Sequence, residues 1–216
     1  MGEYAVIGLG RFGQAVAGSL YSLGHNVLGI DKDEHDVSIA SGFTTKAVQC
    51  DATDEQSLKS LGLRNFDVVI VAIGDLQASI LVTLILKEMG VREVVAKASN
   101  ESHGKVLFKI GADRVVYPER EMGVRVAHNL SSINILDMIE LSPEYSIVEL
   151  TASKPFIGKS LQELDLRNKY QINVIAIRRG KEINLTPNRN DRIKEGDTVV
   201  MVGKNEKLRD LEAATS

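Results

Sequence analysis

Gly8-Leu9-Gly10-Arg11-Phe12-Gly13 decides how the first half of this chain reads. A GxGxxG string alone is weak. Here the apolar run Tyr4–Ile7 precedes it, and a helical pattern over Phe12–Leu23 follows. Asp31 closes the next apolar run, Val27–Ile30, 21 positions after Gly10. Strand, glycine turn, helix and acid at that spacing begin a dinucleotide-type fold. Gly8 makes the tight turn, Gly10 lets backbone approach a phosphate, and Gly13 lets helix pack on strand. The helix start offers free N–H groups and the positive end of its dipole to an anion. Asp31 can accept from ribose hydroxyls and would repel a 2′-phosphate, so NAD or another unphosphorylated adenosine ribose is expected, not NADP. The competing reading is a plain glycine turn with Asp31 as a helix cap.

Working outward, short runs rich in Val and Ile alternate with helical patterns. Tyr4–Ile7, Val27–Ile30, Lys46–Gln49, Val68–Ile73, Val94–Ala98 and Arg114–Tyr117 read as strands. Phe12–Leu23, Glu34–Ser41, Asp54–Leu61, Ala78–Met89 and His103–Ile110 read as helices, and Gly24, Gly62, Gly90 and Gly111 stop four of them. Thr53 and Gln56 have the spacing of a capping box. Strict alternation predicts a doubly wound parallel sheet, an α/β Rossmann-like fold. Glu119–Leu130 then reads as a helix and Ile133–Ile139 as an apolar-rich link.

The pattern changes near Leu141-Ser142-Pro143, which places a domain boundary between residues 140 and 141. Charge changes there too: residues 1–140 carry 13 basic and 18 acidic side chains, residues 141–216 carry 13 and 11. Beyond it, Ser146–Thr151, Asn173–Arg178, Glu182–Leu185 and Thr198–Val202 read as strands, with Arg179-Gly180-Lys181 as a hairpin turn. Lys159–Leu164 and Asn205–Ala213 read as helices. Residues 141–216 are thus expected to form a small α+β module that gains from a second copy.

Composition narrows the function. The chain of 216 residues is 44% apolar and 25% charged, which excludes a disordered or collagen-like chain. Its longest apolar run, Val68–Ile73, falls far short of the about 20 residues of a spanning helix, so no bilayer crossing is expected. No secretion signal is visible at Met1-Gly2-Glu3-Tyr4. A single cysteine, Cys50, fits a reducing compartment. A pI near 5.9 argues against binding a nucleic-acid polymer.

Further candidates for a nucleotide site follow from position at the carboxyl ends of the strands. Arg11 can reach past the first phosphates to a terminal one, which favours ATP or ADP, or it is a solvated first-turn arginine. Phe12 and Lys32 flank the loop and the acid. Asp51-Ala52-Thr53 ends the third strand, where Asp51 either accepts from an adenine amino group or caps the next helix. Ile73-Gly74-Asp75 ends the fourth strand and brings backbone near the phosphates. Lys97 either faces the same cleft or points to solvent. Glu119 in a first helical turn is ordinary helix electrostatics.

These stretches, with Cys50-Asp51-Ala52-Thr53, Val71-Ala72-Ile73-Gly74 and Gly111–Glu119, resemble the RCK (KTN) regulatory subunits of bacterial Ktr/Trk potassium uptake systems, on the KtrA/KtrC side. The resemblance covers nearly the whole chain. It implies a nucleotide-binding RCK N-terminal domain and a smaller RCK C-terminal domain. It also implies a cytosolic homo-octameric ring of dimers at the inner face of the membrane, docked on a potassium-translocating subunit of KtrB/KtrD or TrkH type. ATP would activate and ADP inactivate, with NAD(H) also accepted. Arg11 matches the terminal-phosphate reader, Asp31 the ribose ligand and Asp51 the adenine side. Glu119 matches an acid that meets its twin between subunits and helps bind a divalent or sodium cation. In the C-terminal module the resemblance implies cyclic di-AMP bound by Leu166, Arg167, Asn173, Val174, Ile175 and Pro187, inhibiting transport. Arg167 suits a phosphate, Asn173 a base edge, and the others apolar walls; the alternative is a packed strand after a basic turn.

The rival reading is an NAD-dependent oxidoreductase, or an NAD(H)-sensing regulator. A dehydrogenase needs a proton donor or acceptor beside the nicotinamide. His25, His35, His103 and His128 form no spaced pair and read as surface positions, no Tyr-x-x-x-Lys pair occurs, and Cys50 with the histidines gives no metal-ligand spacing. A transcription factor would need a basic helix-turn-helix, which is not evident. The expectation is a binding module and not an enzyme.

Overall fold

The computed structural model describes residues 1–131 and 135–215, and the chain divides into two units, Met1–Arg120 and Glu121–Ser216. In the first unit the order is β1 (Glu3–Ile7), α1 (Arg11–Ser22), β2 (Asn26–Asp31), α2 (Glu34–Ala40), β3 (Lys46–Gln49), α3 (Glu55–Ser60), β4 (Val68–Val71), α4 (Leu76–Glu88), β5 (Val94–Lys97), α5 (Glu101–Lys109) and β6 (Arg114–Val116). Helix α6 (Pro118–Ser131) begins in the first unit and continues in the second.

The six strands pair in parallel in the order β3-β2-β1-β4-β5-β6. Alternation along each strand sorts the apolar side chains to two faces, as a covered parallel sheet requires. Ala5, Ile7, Val69 and Val71 join Val82 and Leu86 of α4 and Leu107 of α5 in one buried cluster. Val6, Val27 and Ile70 join Ala17 of α1 on the other face. Strand order reverses between β1 and β4, so the crevice where nucleotides bind in such sheets lies beyond the ends of these two strands. The four glycines expected to stop helices, Gly24, Gly62, Gly90 and Gly111, all take positive φ.

In the second unit β7 (Ile135–Ser142), β8 (Tyr145–Thr151), α7 (Leu161–Leu164), α8 (Leu166–Tyr170), β9 (Asn173–Arg179), β10 (Glu182–Asn184), β11 (Thr198–Lys204) and α9 (Asn205–Thr215) follow in turn. The sheet is antiparallel, in the order β10-β9-β11-β8-β7. Val148, Leu150, Phe156, Ile172, Met201 and Leu211 build its own core. Asp197 is buried and takes two bonds of 2.7 Å from Arg179 and one from the Lys194 N–H. These bonds hold its carboxyl below the usual carboxylate range, Arg179 contributing most.

Two local expectations need correction. Thr53 does not cap α3: Asp54 does, accepting from the Gln56 and Ser57 N–H groups, while Thr53 bonds Asp51. A capping box does form at α7, between Ser160 and Glu163. The stretch Ile133–Ile139 is not a link but enters strand β7 from Ile135 on; residues 133 and 134 lie outside the described ones.

Candidate nucleotide cavity

Beyond β1 and β4 lies a cavity of about 420 Å³, within the usual range for small-molecule sites. Gly8, Gly10, Asp31, Lys32, Asp51, Ala52, Thr53, Ile73 and Gly74 line it, as expected. Asp75, read with Ile73 and Gly74 as the end of the fourth strand, lines it as well, and so do Ile7, Ile30, Asp36, Cys50, Ala72 and Ala78, which are not site candidates on sequence. Ile7 and Ile30 are strand ends, which the topology rule alone could have flagged. Asp36 on α2 and Ala78 on α4 become visible only once the helices are placed.

The three loop glycines have three different causes. Gly8 has φ +94°, and a Cβ there would sit 2.9 Å from Ala72 and Ile73 backbone. At Gly13 a Cβ would meet the Gly8 carbonyl oxygen well inside contact, so α1 packs on the loop only with glycine. Gly10 has φ −66°, and a Cβ would meet nothing within 4 Å. Nothing in the chain requires glycine at Gly10; it leaves open the space a ligand would fill. Gly10 also starts α1 without a side-chain cap, and no acid stands in its first turn. The first N–H groups of a helix of 12 residues are therefore free to take an anion.

Asp31 lines the same cavity, beside the loop. One carboxylate oxygen accepts from the Leu9 N–H, the other from the Asp33 N–H. The Leu9 bond ties the carboxylate to the loop and the Asp33 bond ties it to its own turn, and each oxygen keeps a further lone pair. Asp31 does not cap α2; Asp33 does. Asp51 accepts from both the N–H and the hydroxyl of Thr53, and these bonds hold its carboxyl below the ordinary range. It is an ionised acceptor at the cavity's rim. The Cys50 thiol is pushed up, first by burial and then by the Asp51 charge.

Arg11, Phe12, Gly13 and Lys97 lie outside this lining. Arg11 sits over a shallow groove with Gln14, Gly18 and Phe43. Lys97 donates to Glu119, Nζ to Oε1 at 2.7 Å, and lies 5.8 Å above the centre of the Phe12 ring. That bond leads the causes holding Glu119 below the ordinary carboxyl range, with the Arg11 charge adding to it. Among the described residues no three His, Cys, Asp or Glu side chains gather as a metal would need.

His103 is buried, contrary to the surface reading; its Nδ1 faces Ser99, and burial depresses its pKa. His25 accepts from the Gly2 N–H and stacks edge-on against Tyr4, and neither it nor His35 lines the cavity. The His128 side chain lies outside the described ones.

In the second unit the stretch read as a basic turn before a strand is helix α8, held between left-handed Asp165 and Gln171. Leu166 is buried in the core there, and Val174 packs against it. Arg167, Asn173 and Ile175 are exposed and Pro187 half-buried. A cavity of about 280 Å³ in this unit is lined instead by Arg179, Asn184, Arg192, Lys194 and their neighbours.

The TrkA-N domain family matches residues 4–118, and the TrkA-C domain family residues 145–215. The chain is 51% identical over 202 residues to Ktr system potassium uptake protein C of Bacillus subtilis (strain 168), covering 93% of this chain and 91% of that one. Over 211 residues it is 46% identical to Ktr system potassium uptake protein A of the same organism, covering 97% and 95%. The crystal structure of the GsuK RCK domain is similar in fold, with a TM-score of 0.71 at 20% identity, over 100% of this chain and 48% of that one. The match runs through both units and both domain families, and the chain belongs to the TrkA-N/TrkA-C (RCK) family, on its KtrA/KtrC-like branch.

Proposed function

We propose that this chain is a nucleotide-sensing regulatory subunit of a bacterial potassium uptake system. The observation that carries the reading is the uncapped start of α1 at Gly10, whose missing side chain leaves space beside a cavity that Asp31 also lines. Relatives named for potassium uptake supply the process. In this reading the adenosine end lies along Asp31 and Asp51, and the phosphates lie on the free N–H groups at Gly10. A binding module that changes form does no chemistry on its ligand. It works because ATP and ADP stabilise different states of an assembly, and a ligand shifts states only by binding one better than the other.

The finer parts belong to the same proposal. ATP activates and ADP inactivates, through Arg11 at the terminal phosphate; NAD(H) also fits the fold. The assembly is a homo-octameric ring in the cytosol, docked on a potassium-translocating membrane subunit. Within such a ring two Glu119 residues from neighbouring copies share a cation. Cyclic di-AMP inhibits by binding the second unit, with Arg167, Asn173, Ile175 and Pro187 as the surface residues able to meet it; buried Leu166 supports them from behind. Rubidium flux into vesicles carrying the membrane subunit and this chain tests the proposal. Flux should rise with ATP and fall with ADP. Flux indifferent to both nucleotides would end the regulatory reading.

A further inference from the structure

The connection from β5 to α5 holds a buried histidine that lies outside the cavity lining. His103 is 3% exposed, in the first turn of α5. Its Nδ1 accepts from the Ser99 N–H at 3.3 Å and lies 3.2 Å from the Ser99 hydroxyl. An acceptor at Nδ1 places the single ring proton on Nε2, so the imidazole is neutral. Nε2 is buried and meets no hydrogen-bond partner among the described residues. The same loop caps the helix. Asn100 Oδ1 accepts from the His103 N–H at 2.9 Å, and the Asn100 carbonyl accepts from the Gly104 N–H.

An imidazolium does not fit this arrangement. It would carry a proton on Nδ1, aimed at the Ser99 N–H, and a charge cut off from solvent. The charged neighbours do not offset that charge. Helix α5 packs against α4 and β6. From α4, Asp75 is spent on that helix's cap, and Lys87, in its last turn, pairs with Asp113. From β6, Arg114 reaches toward Glu93, and Tyr117, just beyond the strand, sets its hydroxyl over Gly104. At the end of β5, Lys97 pairs with Glu119. On α5 itself Glu101 and Lys105 are exposed, and Glu101 pairs with Arg120. Burial alone acts on His103, and it lowers the pKa.

We propose that His103 is an acid-sensitive latch: the Ser99–Asn100 loop closes on the start of α5 only around a neutral imidazole, and a proton on Nδ1 releases both the loop and the helix cap. The latch needs no nucleotide and stands apart from the reading above. It ties β5 to α5 at the carboxyl edge of the parallel sheet. Acid therefore loosens the first unit at this joint while the central strands stay paired.

Hydrogen exchange of the full chain tests it, read by mass spectrometry over residues 98–107 and corrected for the intrinsic rate. A window from about pH 7.5 to about pH 5.5 spans the ordinary histidine pKa of about 6.5 and stays above the carboxylate range. A histidine held neutral when closed and free to protonate when open favours opening by at most about tenfold per pH unit below its ordinary pKa. Wild type should lose roughly three- to tenfold in protection across this segment. His103→Asn keeps an acceptor near the Nδ1 position and has nothing to titrate, so its protection should stay flat. His103→Gln repeats the measurement if the asparagine variant folds poorly. Protection in β1 and β4 should hold throughout. Unchanged protection in wild type overturns the latch, and so does an equal loss in the His103 variants. A loss shared by β1 and β4 also overturns it, since the acid would then unfold the whole unit rather than open one joint.

Discussion

The loop glycines make opposite demands, and that separates folding from binding at single residues. Gly13→Ala drives a methyl into the Gly8 carbonyl and should cost about 2–4 kcal/mol of stability by denaturant titration. Gly10→Ala meets open space and should leave stability within about 0.5 kcal/mol. Its nucleotide affinity should fall roughly tenfold, because the methyl stands between phosphate and the helix N–H groups. Arg11→Ala should bring the ATP and ADP affinities together while adenosine still binds; a surviving ATP preference would remove Arg11 from its role. Asp31→Ala takes the acceptor from the Leu9 and Asp33 N–H groups and should weaken ATP, ADP and NADH alike, by about tenfold.

At the scale of elements, the parallel sheet was legible because its signals agree: short apolar runs, glycine helix stops, and an acid at the end of β2. The cap of α3 was not, because Thr53 and Asp54 are adjacent cap formers and only the hydrogen bonds decide; Thr53 is taken by Asp51. Helix α8 was hidden because non-glycine residues, Asp165 and Gln171, take the left-handed turns around it. Strand β7 was hidden because its register shifts at both ends break the two-residue alternation. Of the cavity, the strand-end residues were readable, whereas the position of Lys97 on Glu119 depends on how β5 and α6 meet. Asp197 gives this scale its own prediction. Its carboxyl is depressed in the folded state, so its contribution is present above the ordinary carboxylate range and lost as pH falls below about 4. Asp197→Asn should lower stability by about 1–3 kcal/mol at pH 7, and the difference from wild type should shrink in acid melts.

For the whole molecule, the two units divide two tasks. The first offers an anion-ready helix start over a parallel sheet; the second is an antiparallel sheet with a separate core. Among the described residues no helix is long and apolar enough to cross a membrane. Everything proposed for the assembly depends on occupancy of the cavity in the first unit. Ligand in hundredfold excess over its Kd adds about 2.7 kcal/mol to the stability of the state that binds it, so occupancy is readable as a shift in melting as well as in heat. The most direct measurement is calorimetric titration of the purified full chain with ATP, ADP, NADH and NADPH, wild type beside Gly10→Ala. Saturable binding of the first three, weaker binding of NADPH and a loss in Gly10→Ala is the predicted result. No binding at millimolar nucleotide, or binding indifferent to Gly10→Ala, would contradict it.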